Sequence, residues 1–354
     1  MPRRRSALPS FGVRTPRILV LQLKRLGDLI LTTPAIRSLR SAYPASQITL
    51  VVDSASRDLL PGIQGLDDVW IYNRREPFGF WHKLAFRSFD LCLDFTCNDR
   101  SALIAFLSKA QRRFAFSSVG RKYHRAWIYN QLVTSSVRDQ HTIDHYLQLA
   151  YAAGAPASYR EAEVRLPAGL EASARSLRAE LGIRNSYFVV HPGTARSEKF
   201  WLPERWAEVI QHLMTRLNAT PLLTGGNSEG EAKHLRQILG LMRSPEKVVN
   251  VAGRIDFLLT SALIRNACFF VGVDTAAAHI ASAFRVPQVV LFGPTNPFHW
   301  HPRHPLGVVV RASAPEWEQS LSPQEKGAPM SQLSTATVID AIEAVLGRAA
   351  SNVA

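Results

Sequence analysis

Short apolar runs rich in Val, Ile and Leu recur along this chain, separated by stretches with helical spacing. In the amino-terminal half these runs are RILVLQL (17–23), QITLVVD (47–53) and FDLCLDF (89–95). Such runs, bounded by turn residues, are typical of parallel strands that are buried on both faces. A chain that alternates them with helices is restricted to the α/β class, with doubly wound sheets.

The second half of the chain starts the same scheme again. Its five runs are YFVVH (187–191), ATPLLTGG (219–226), KVVNVAG (247–253), CFFVGVD (268–274) and PQVVLFG (287–293). A length of 354 residues suits two domains of about 150 residues each. We therefore predict two Rossmann-like domains, each with its ligand edge at the carboxyl ends of its strands.

The domain organisation follows from these runs. We predict a flexible basic tail over 1–16, a first Rossmann-like domain over 17–169, a second over 170–330 and a terminal helix within 331–354. Ser334 is the predicted cap of that helix.

The charge of the chain points to anionic partners, because its net charge is +14 and its pI is about 10.2. Between residues 100 and 138 there is no acid, and eight residues are basic: Arg100, Lys109, Arg112, Arg113, Arg121, Lys122, Arg125 and Arg138. No RNP, KH, helix-turn-helix or zinc-finger pattern accompanies them, so we expect no nucleic-acid partner. A solvated basic face without a specific partner is the alternative.

Targeting and redox signals are sparse. The amino terminus lacks the apolar core of a secretory signal, and no run of 18 apolar residues occurs. The three cysteines, Cys92, Cys97 and Cys268, form no C-x-x-C pair. We expect a cytoplasmic protein that does not span the membrane.

A lone acid follows the first strand in the segment LKRLGDLILTTP (23–34). Gly27 supplies the turn, and Asp28 falls in the first helical turn, where backbone N–H groups favour a negative charge. Asp28 is either a stabilising cap or a group that faces the ligand crevice at the end of the strand. Pro34 should kink the helix or make it restart.

Two segments of the second half suit a diphosphate. In HPGTARSEKFW (191–201), Thr194, Arg196 and Lys199 offer a hydroxyl, a guanidinium fork and a point charge. An ordinary solvated loop is the alternative there. In VGVDTAAAH (271–279), Asp274 and Thr275 begin a helix, and the small Ala276 lets a ligand approach its free amides.

Other candidates for the same site are less specific. His279 is either a core histidine or a donor-site residue, and we do not expect it to be catalytic. Gly225 and Gly226 permit close backbone approach, and Glu229 and Glu231 could accept hydrogen bonds from ribose hydroxyls.

A metal site is not expected. The histidines of HWHPRH (299–304) lie beside a proline without paired carboxylates, and Asp-x-Asp does not occur. The positive charge for a diphosphate must then come from protein groups.

Three segments in this order resemble the lipopolysaccharide heptosyltransferases, glycosyltransferase family 9: LKRLGDLILTTPAIRSLRSAYP, HPGTARSEKFWLPERWAEVI and VGVDTAAAHIASAFRVPQVVLFGPTNP. The resemblance covers about residues 17 to 303. Residues 94–145 look most like the subgroup that adds a branch heptose, the third core heptosyltransferases.

The resemblance implies a GT-B architecture, with two Rossmann-like domains facing across a cleft. It also implies an inverting, metal-independent enzyme without a cofactor, with ADP-L-glycero-D-manno-heptose as donor and the lipid A–Kdo/heptose inner core as acceptor. The first domain would bind the acceptor, the second would bind the nucleotide sugar, and the last helix would return to the first domain. The protein would work at the cytoplasmic face of the inner membrane, in peripheral contact with it.

By motif match, Asp28 would be the general base, Lys199 would hold the donor diphosphate, Asp274 would contact the heptose, and the amides of Thr275 and Ala276 would bind phosphate. The acceptor's phosphates and Kdo carboxylates would meet six basic residues: Lys24, Arg25, Arg100, Arg121, Lys122 and Arg125.

The sequence departs from the family in two places. Many members have glycine where this chain has Ala276, and Lys24 and Arg25 differ from several subgroups. Both departures concern specificity. Two other functions stay open: a GT-B transferase that uses another nucleotide sugar, such as a UDP-linked hexose, and a non-catalytic protein that binds a nucleotide or anion.

Overall fold

The structure is a computed structural model that describes residues 15–75, 78–121, 123–314, 316–317 and 319–351. The chain divides into two compact units, Met1–Arg165 and Leu166–Ala354, called unit 1 and unit 2 below. The division falls close to the predicted boundary between residues 169 and 170. Most of the expected basic tail, residues 1–14, lies outside the described residues.

Unit 1 contains a parallel sheet in which the first strand is central. Its strands are β1 (Arg17–Gln22), β2 (Gln47–Asp53), β3 (Asp68–Tyr72), β4 (Leu91–Asp94), β5 (Arg112–Phe116) and β6 (Gln131–Val133). The spatial order is β3-β2-β1-β4-β5-β6. In this doubly wound order the direction of winding reverses between β1 and β4, and the crevice at such a switch point is where ligands bind.

The helices of unit 1 cover this sheet. They are α1 (Leu26–Ala42), α2 (Phe78–Ala85), α3 (Asp99–Leu107), α4 (Tyr123–Ala126) and α5 (Thr142–Ala152). Of the predicted kink or restart at Pro34, the restart is wrong, because α1 runs through Pro34 without interruption. The kink stays a prediction. Pro34 has no N–H for the carbonyl of Ile30, but the Thr33 hydroxyl donates to that carbonyl at 2.7 Å instead.

Unit 2 repeats the arrangement. Its strands are β7 (Tyr187–His191), β8 (Thr220–Leu223), β9 (Val249–Asn250), β10 (Phe269–Val273), β11 (Gln288–Phe292) and β12 (Gly307–Arg311). Their order, β12-β11-β10-β7-β8-β9, is the same winding counted from β7. The switch point of unit 2 therefore lies between β7 and β10.

The helices of unit 2 are α6 (Leu170–Glu180), α7 (Pro203–Leu217), α8 (Glu229–Leu241), α9 (Phe257–Arg265), α10 (Ala276–Ala283), α11 (Pro297–Trp300) and α12 (Thr335–Ser351). Short 3₁₀ turns occupy Ser54–Gly62, Ser117–Arg121, Ser197–Lys199, Pro245–Lys247 and Met330–Gln332. Within the described ranges, no helix is both long enough and apolar enough to cross a bilayer.

The terminal helix α12 belongs to unit 2. Ser334 caps it, accepting a hydrogen bond from the Thr337 amide at 3.1 Å. Its buried residues Val338, Ile342 and Val345 join the core that α7, β11 and β12 also line. The apolar face of α12 therefore packs against the sheet of unit 2. Its expected return to the first domain stays a prediction.

Candidate active site

The switch point of unit 1 is built from the loops that follow β1 and β4. The Leu23 amide donates to the Thr96 hydroxyl at 2.7 Å, which joins the two loops. The buried Asp94 carboxylate accepts from the amides of Thr96 and Cys97 at 2.8 and 2.9 Å. Both loops are therefore fixed by hydrogen bonds near their origin.

Asp28 stands in the first turn of α1, directly after this loop. Its Oδ1 accepts a hydrogen bond from the hydroxyl of Tyr146 on α5 at 2.7 Å. The Thr32 hydroxyl donates to the carbonyl of Asp28 at 2.7 Å and accepts from the amide group of Gln22, also at 2.7 Å. Side chain and backbone of Asp28 are thus both held in place.

Tyr146 is a buried residue that the sequence analysis did not single out. Its ring packs edge-on against Phe95 with the centroids 5.4 Å apart. Burial, and then the charge of Asp28, raise the pKa of Tyr146 well above its usual range. The hydroxyl therefore keeps its proton and is a permanent donor to the carboxylate. The Lys24 ammonium lies 3.3 Å from the same hydroxyl.

His145, the neighbour of Tyr146, packs beside the site as an uncharged ring. Its ring stacks on Phe116, with the centroids 3.6 Å apart, and Nδ1 lies 2.8 Å from the Ser135 hydroxyl. Burial and the nearby Lys24 charge lower the pKa of His145 to about 3. It is therefore neutral near pH 7, whereas Lys24 places a positive charge beside the hydroxyl that donates to Asp28.

The other residues predicted to bind the acceptor differ in their surroundings. Arg25 is exposed. The Arg100 guanidinium lies 3.7 Å from the Asp53 carboxylate and above the Tyr72 ring. Arg125 is hydrogen-bonded to Asp99 and to the carbonyl of Cys97. Lys122 and the side chain of Arg121 lie outside the described part of the chain.

The switch point of unit 2 brings together two residues that the sequence analysis selected. Lys199 ends the 3₁₀ turn after β7, and Asp274 follows β10. The Lys199 ammonium donates to Oδ2 of Asp274 at 2.5 Å and to its carbonyl at 3.1 Å. Both side chains are largely buried, with exposed fractions of 10% and 11%. An ammonium group is therefore fixed at the ligand edge of this sheet.

The neighbouring candidates take part in local hydrogen bonds. The Thr194 hydroxyl accepts from the Arg196 amide at 3.2 Å and shapes the turn. Arg196 pairs with Glu198 at 2.6 Å, both side chains being well exposed. Because exposed ion pairs are weak, Arg196 can exchange this partner for a phosphate at little cost.

Helix α10 begins directly after Asp274, with Thr275 as its cap in an extended conformation. Ala276 is its first residue, and its small side chain leaves room for a ligand to approach the backbone amides of the first turn. His279 is buried one turn further on, and burial lowers its pKa to about 4. His279 is therefore a neutral interior residue near pH 7.

Glu231 binds the loop that follows β8. Its carboxylate accepts from the Gly226 amide at 3.1 Å and from the Ser228 hydroxyl at 2.8 Å. A Cβ added at Gly193 would collide with one of its oxygens. Both carboxylate oxygens thus bind protein donors, a structural role that the sequence analysis did not assign to Glu231. Glu229 is exposed, whereas Gly225 is partly buried, and a Cβ added there would lie 3.4 Å from the Cβ of Ala252.

Sequence reasoning missed several residues of these sites: Tyr146, His145, Gly193 and Ser228. One of them carried a local signal, because Ser228 and Glu231 have the S-x-x-E spacing of a capping box. Within the described residues, no group of three or more His, Cys, Asp or Glu side chains could hold a metal ion.

Comparison with known proteins identifies the family. The model of glycosyltransferase family 9 (heptosyltransferase) matches residues 78–327. This chain belongs to glycosyltransferase family 9. It is therefore a heptosyltransferase-family enzyme, as the sequence motifs predicted. The matched range contains Lys199 and Asp274 but begins after Asp28.

Individual proteins are similar to this chain over most of its length. Lipopolysaccharide heptosyltransferase 3 of Escherichia coli K12 is 24% identical, over 78% of this chain and 82% of its own length. The structure of a family 9 glycosyl transferase from Veillonella parvula superposes with a TM-score of 0.80 at 22% identity, over 94% and 97% of the two chains. The E. coli ADP-heptose lps heptosyltransferase II gives 0.77 at 19% identity, over 94% and 99%. These likenesses confirm the predicted α/β fold.

Proposed function

We propose that this family 9 enzyme transfers L-glycero-D-manno-heptose from ADP-heptose to the lipopolysaccharide inner core. Its relatives, a lipopolysaccharide heptosyltransferase 3 and an ADP-heptose lps heptosyltransferase II, support this choice of donor and acceptor. The observation that carries the proposal is the Asp28 carboxylate, which a buried, protonated tyrosine orients at the switch point of unit 1. A carboxylate held in this way suits a general base.

The proposed chemistry is a single inverting displacement. Asp28 takes the proton of an acceptor hydroxyl as that oxygen attacks the anomeric carbon of the heptose. The bond from this carbon to the phosphate oxygen breaks on the opposite face, and its electron pair leaves with ADP. No covalent enzyme intermediate and no metal ion enter this scheme.

The groups of unit 2 would stabilise the departing diphosphate. The Lys199 ammonium is already fixed by Asp274, so little reorganisation is needed when charge develops on the phosphate oxygens. The amides at the start of α10, after Thr275, would add donors, and Arg196 would add a guanidinium. Asp274 would accept hydrogen bonds from heptose hydroxyls while it orients Lys199.

The anionic acceptor would be attracted by the basic residues of unit 1. Lys24 and Arg25 precede Asp28 in the loop that leads into α1, and Arg100 stands at the start of α3. Because this acceptor is a lipid, we also propose a cytoplasmic protein in peripheral contact with the inner membrane.

The test is a transfer assay with purified protein, ADP-heptose and truncated lipopolysaccharides, read by mass spectrometry in the presence of a chelator. We expect the acceptor to gain the mass of one heptose residue, and the KM to be higher for acceptors without phosphates. Ranking ADP, UDP and GDP by thermal shift tests the donor base, since the tightest ligand stabilises most. A preference for UDP, or no transfer, would overturn this assignment of donor and reaction.

A further inference from the structure

Helix α3 has an apolar face on each side. Its inner face is buried and includes Ala102, Ile104 and Ala105. Three large apolar residues project from the helix elsewhere: Leu103, Phe106 and Leu107 are 46%, 47% and 39% exposed. Their spacing of three and four residues places them on one outer face. Folding of unit 1 therefore does not account for this second apolar face.

Neighbouring elements extend the exposed apolar surface. The Trp127 ring meets the Phe106 ring edge-on, with the centroids 5.5 Å apart, and Trp127 is 62% exposed. Phe86, 79% exposed, follows α2, and the Lys109 ammonium after α3 donates to the carbonyl of Ala85 at 3.0 Å. We call Phe86, Leu103, Phe106, Leu107 and Trp127 the aromatic patch.

The charge of the surrounding surface is positive. Residues 78–138 contain three acids. Asp90 and Asp94 are buried, and Asp99 pairs with Arg125. Exposed cations are present on the same elements as the aromatic patch: Lys83, Arg87 and Lys109. The patch therefore suits a partner that is apolar inside and anionic at its surface.

We propose that the aromatic patch and its cations dock unit 1 on an anionic lipid bilayer. Phe, Leu and Trp side chains enter the boundary between headgroups and acyl chains, while Lys and Arg bind anionic headgroups. An acidic protein would satisfy the cations, but it would leave the cluster of exposed large rings without an apolar partner. The inference rests on the proposed lipid acceptor and names the surface that would bring the enzyme to it.

The experiment is co-sedimentation with vesicles of phosphatidylethanolamine and phosphatidylglycerol, compared with pure phosphatidylcholine. We expect the full chain to prefer the anionic vesicles. The double variant Phe106→Ser, Trp127→Ser should lose at least about tenfold in partition coefficient, because two inserted rings are removed. Leu241→Ser is the matched control, since Leu241 is 50% exposed in unit 2 and lies outside the patch.

The outcomes separate this inference from the proposed function. Heptose transfer to a detergent-dispersed acceptor should be retained by the double variant, and far-ultraviolet circular dichroism should show an unchanged fold. Wild-type protein that stays in solution with anionic vesicles, or a double variant that binds as tightly as Leu241→Ser, would overturn the docking surface while leaving transfer intact. A concentration-dependent dimer abolished by the double variant would overturn it in favour of a second copy of the chain.

Discussion

The hydroxyl of Tyr146 and Oδ1 of Asp28 form a 2.7 Å hydrogen bond between residues 118 positions apart in the chain. The bond connects α5 to the first turn of α1. Because Tyr146 is buried and keeps its proton, the carboxylate has a fixed donor before any substrate binds. For the proposed general base, such orientation in advance is one way in which enzymes lower the entropic part of a barrier.

Tyr146→Phe removes that hydroxyl and keeps the ring that packs on Phe95. We expect kcat to fall about tenfold with ADP affinity unchanged, because a poorly oriented base slows proton transfer without touching the nucleotide. Steady-state kinetics and calorimetry provide the two measurements.

Tyr129→Phe is the matched control, since Tyr129 donates a comparable hydrogen bond to the buried Asp94. It should lower stability with a smaller effect on kcat. Equal losses of kcat in the two variants would contradict a positioning role for Tyr146.

Lys199→Ala should weaken ADP binding by at least about tenfold and also lower kcat, because the ammonium would meet the phosphates in both ground and transition states. It should also lower the free energy of unfolding by about 3 kcal/mol, since the largely buried Asp274 carboxylate loses its partner. Calorimetry and urea unfolding measure the two effects separately. Unaltered ADP affinity would count against the role of Lys199.

Gly193→Ala should displace the Glu231 carboxylate, because a Cβ at this position collides with it. The Gly226 amide and the Ser228 hydroxyl would then lose their acceptor, and we expect both the melting temperature and ADP affinity to fall. Gly240→Ala is the control, since nothing lies within 4 Å of an added Cβ there. A Gly193→Ala protein as stable as Gly240→Ala would refute the steric argument.

The buried His279 gives a prediction for pH. Its pKa is about 4 in the folded protein, against about 6.5 in an unfolded chain. Between these values only the unfolded chain binds the proton, so acidification lowers the free energy of unfolding. Between about pH 7 and pH 5, the free energy of unfolding of the His279→Gln protein should therefore fall by roughly 2 kcal/mol less than that of the wild type. Urea unfolding at several pH values measures it, and parallel curves for both proteins would show the argument to be wrong.

The central strands were predictable because burial on both faces leaves a continuous apolar run. β2 and β7 match the predicted ranges. The strands that sequence reasoning missed include β3, β5 and β6, which lie towards the edges of the sheet. β5 begins with Arg112 and Arg113, two charged residues that hide the apolar pattern of a strand. The guanidinium of Arg113 is accommodated in the fold because it donates a hydrogen bond to the carbonyl of Ile128. Partial exposure interrupts the apolar pattern of β6.

The candidate site was predictable where position alone selects a residue. Asp28 follows β1, which borders the switch point of unit 1, and Asp274 follows β10, which borders the switch point of unit 2. Topology alone therefore places each residue at the ligand edge of its own sheet. The contact of Lys199 with Asp274 joins residues 75 apart, and the contact of Tyr146 with Asp28 depends on where α5 packs. Pairings of this kind depend on tertiary packing, which local motifs do not encode. The roles assigned to these residues stay predictions.

The most direct test of the whole account is Asp28→Asn, assayed for heptose transfer and for ADP binding. The substitution keeps the size of the side chain and removes the proton acceptor. Since general-base catalysis is worth about 10² to 10⁴-fold, we predict that turnover falls at least about 10²-fold while ADP affinity by calorimetry stays the same. Full turnover in the Asp28→Asn enzyme would contradict the claim that this carboxylate is the base.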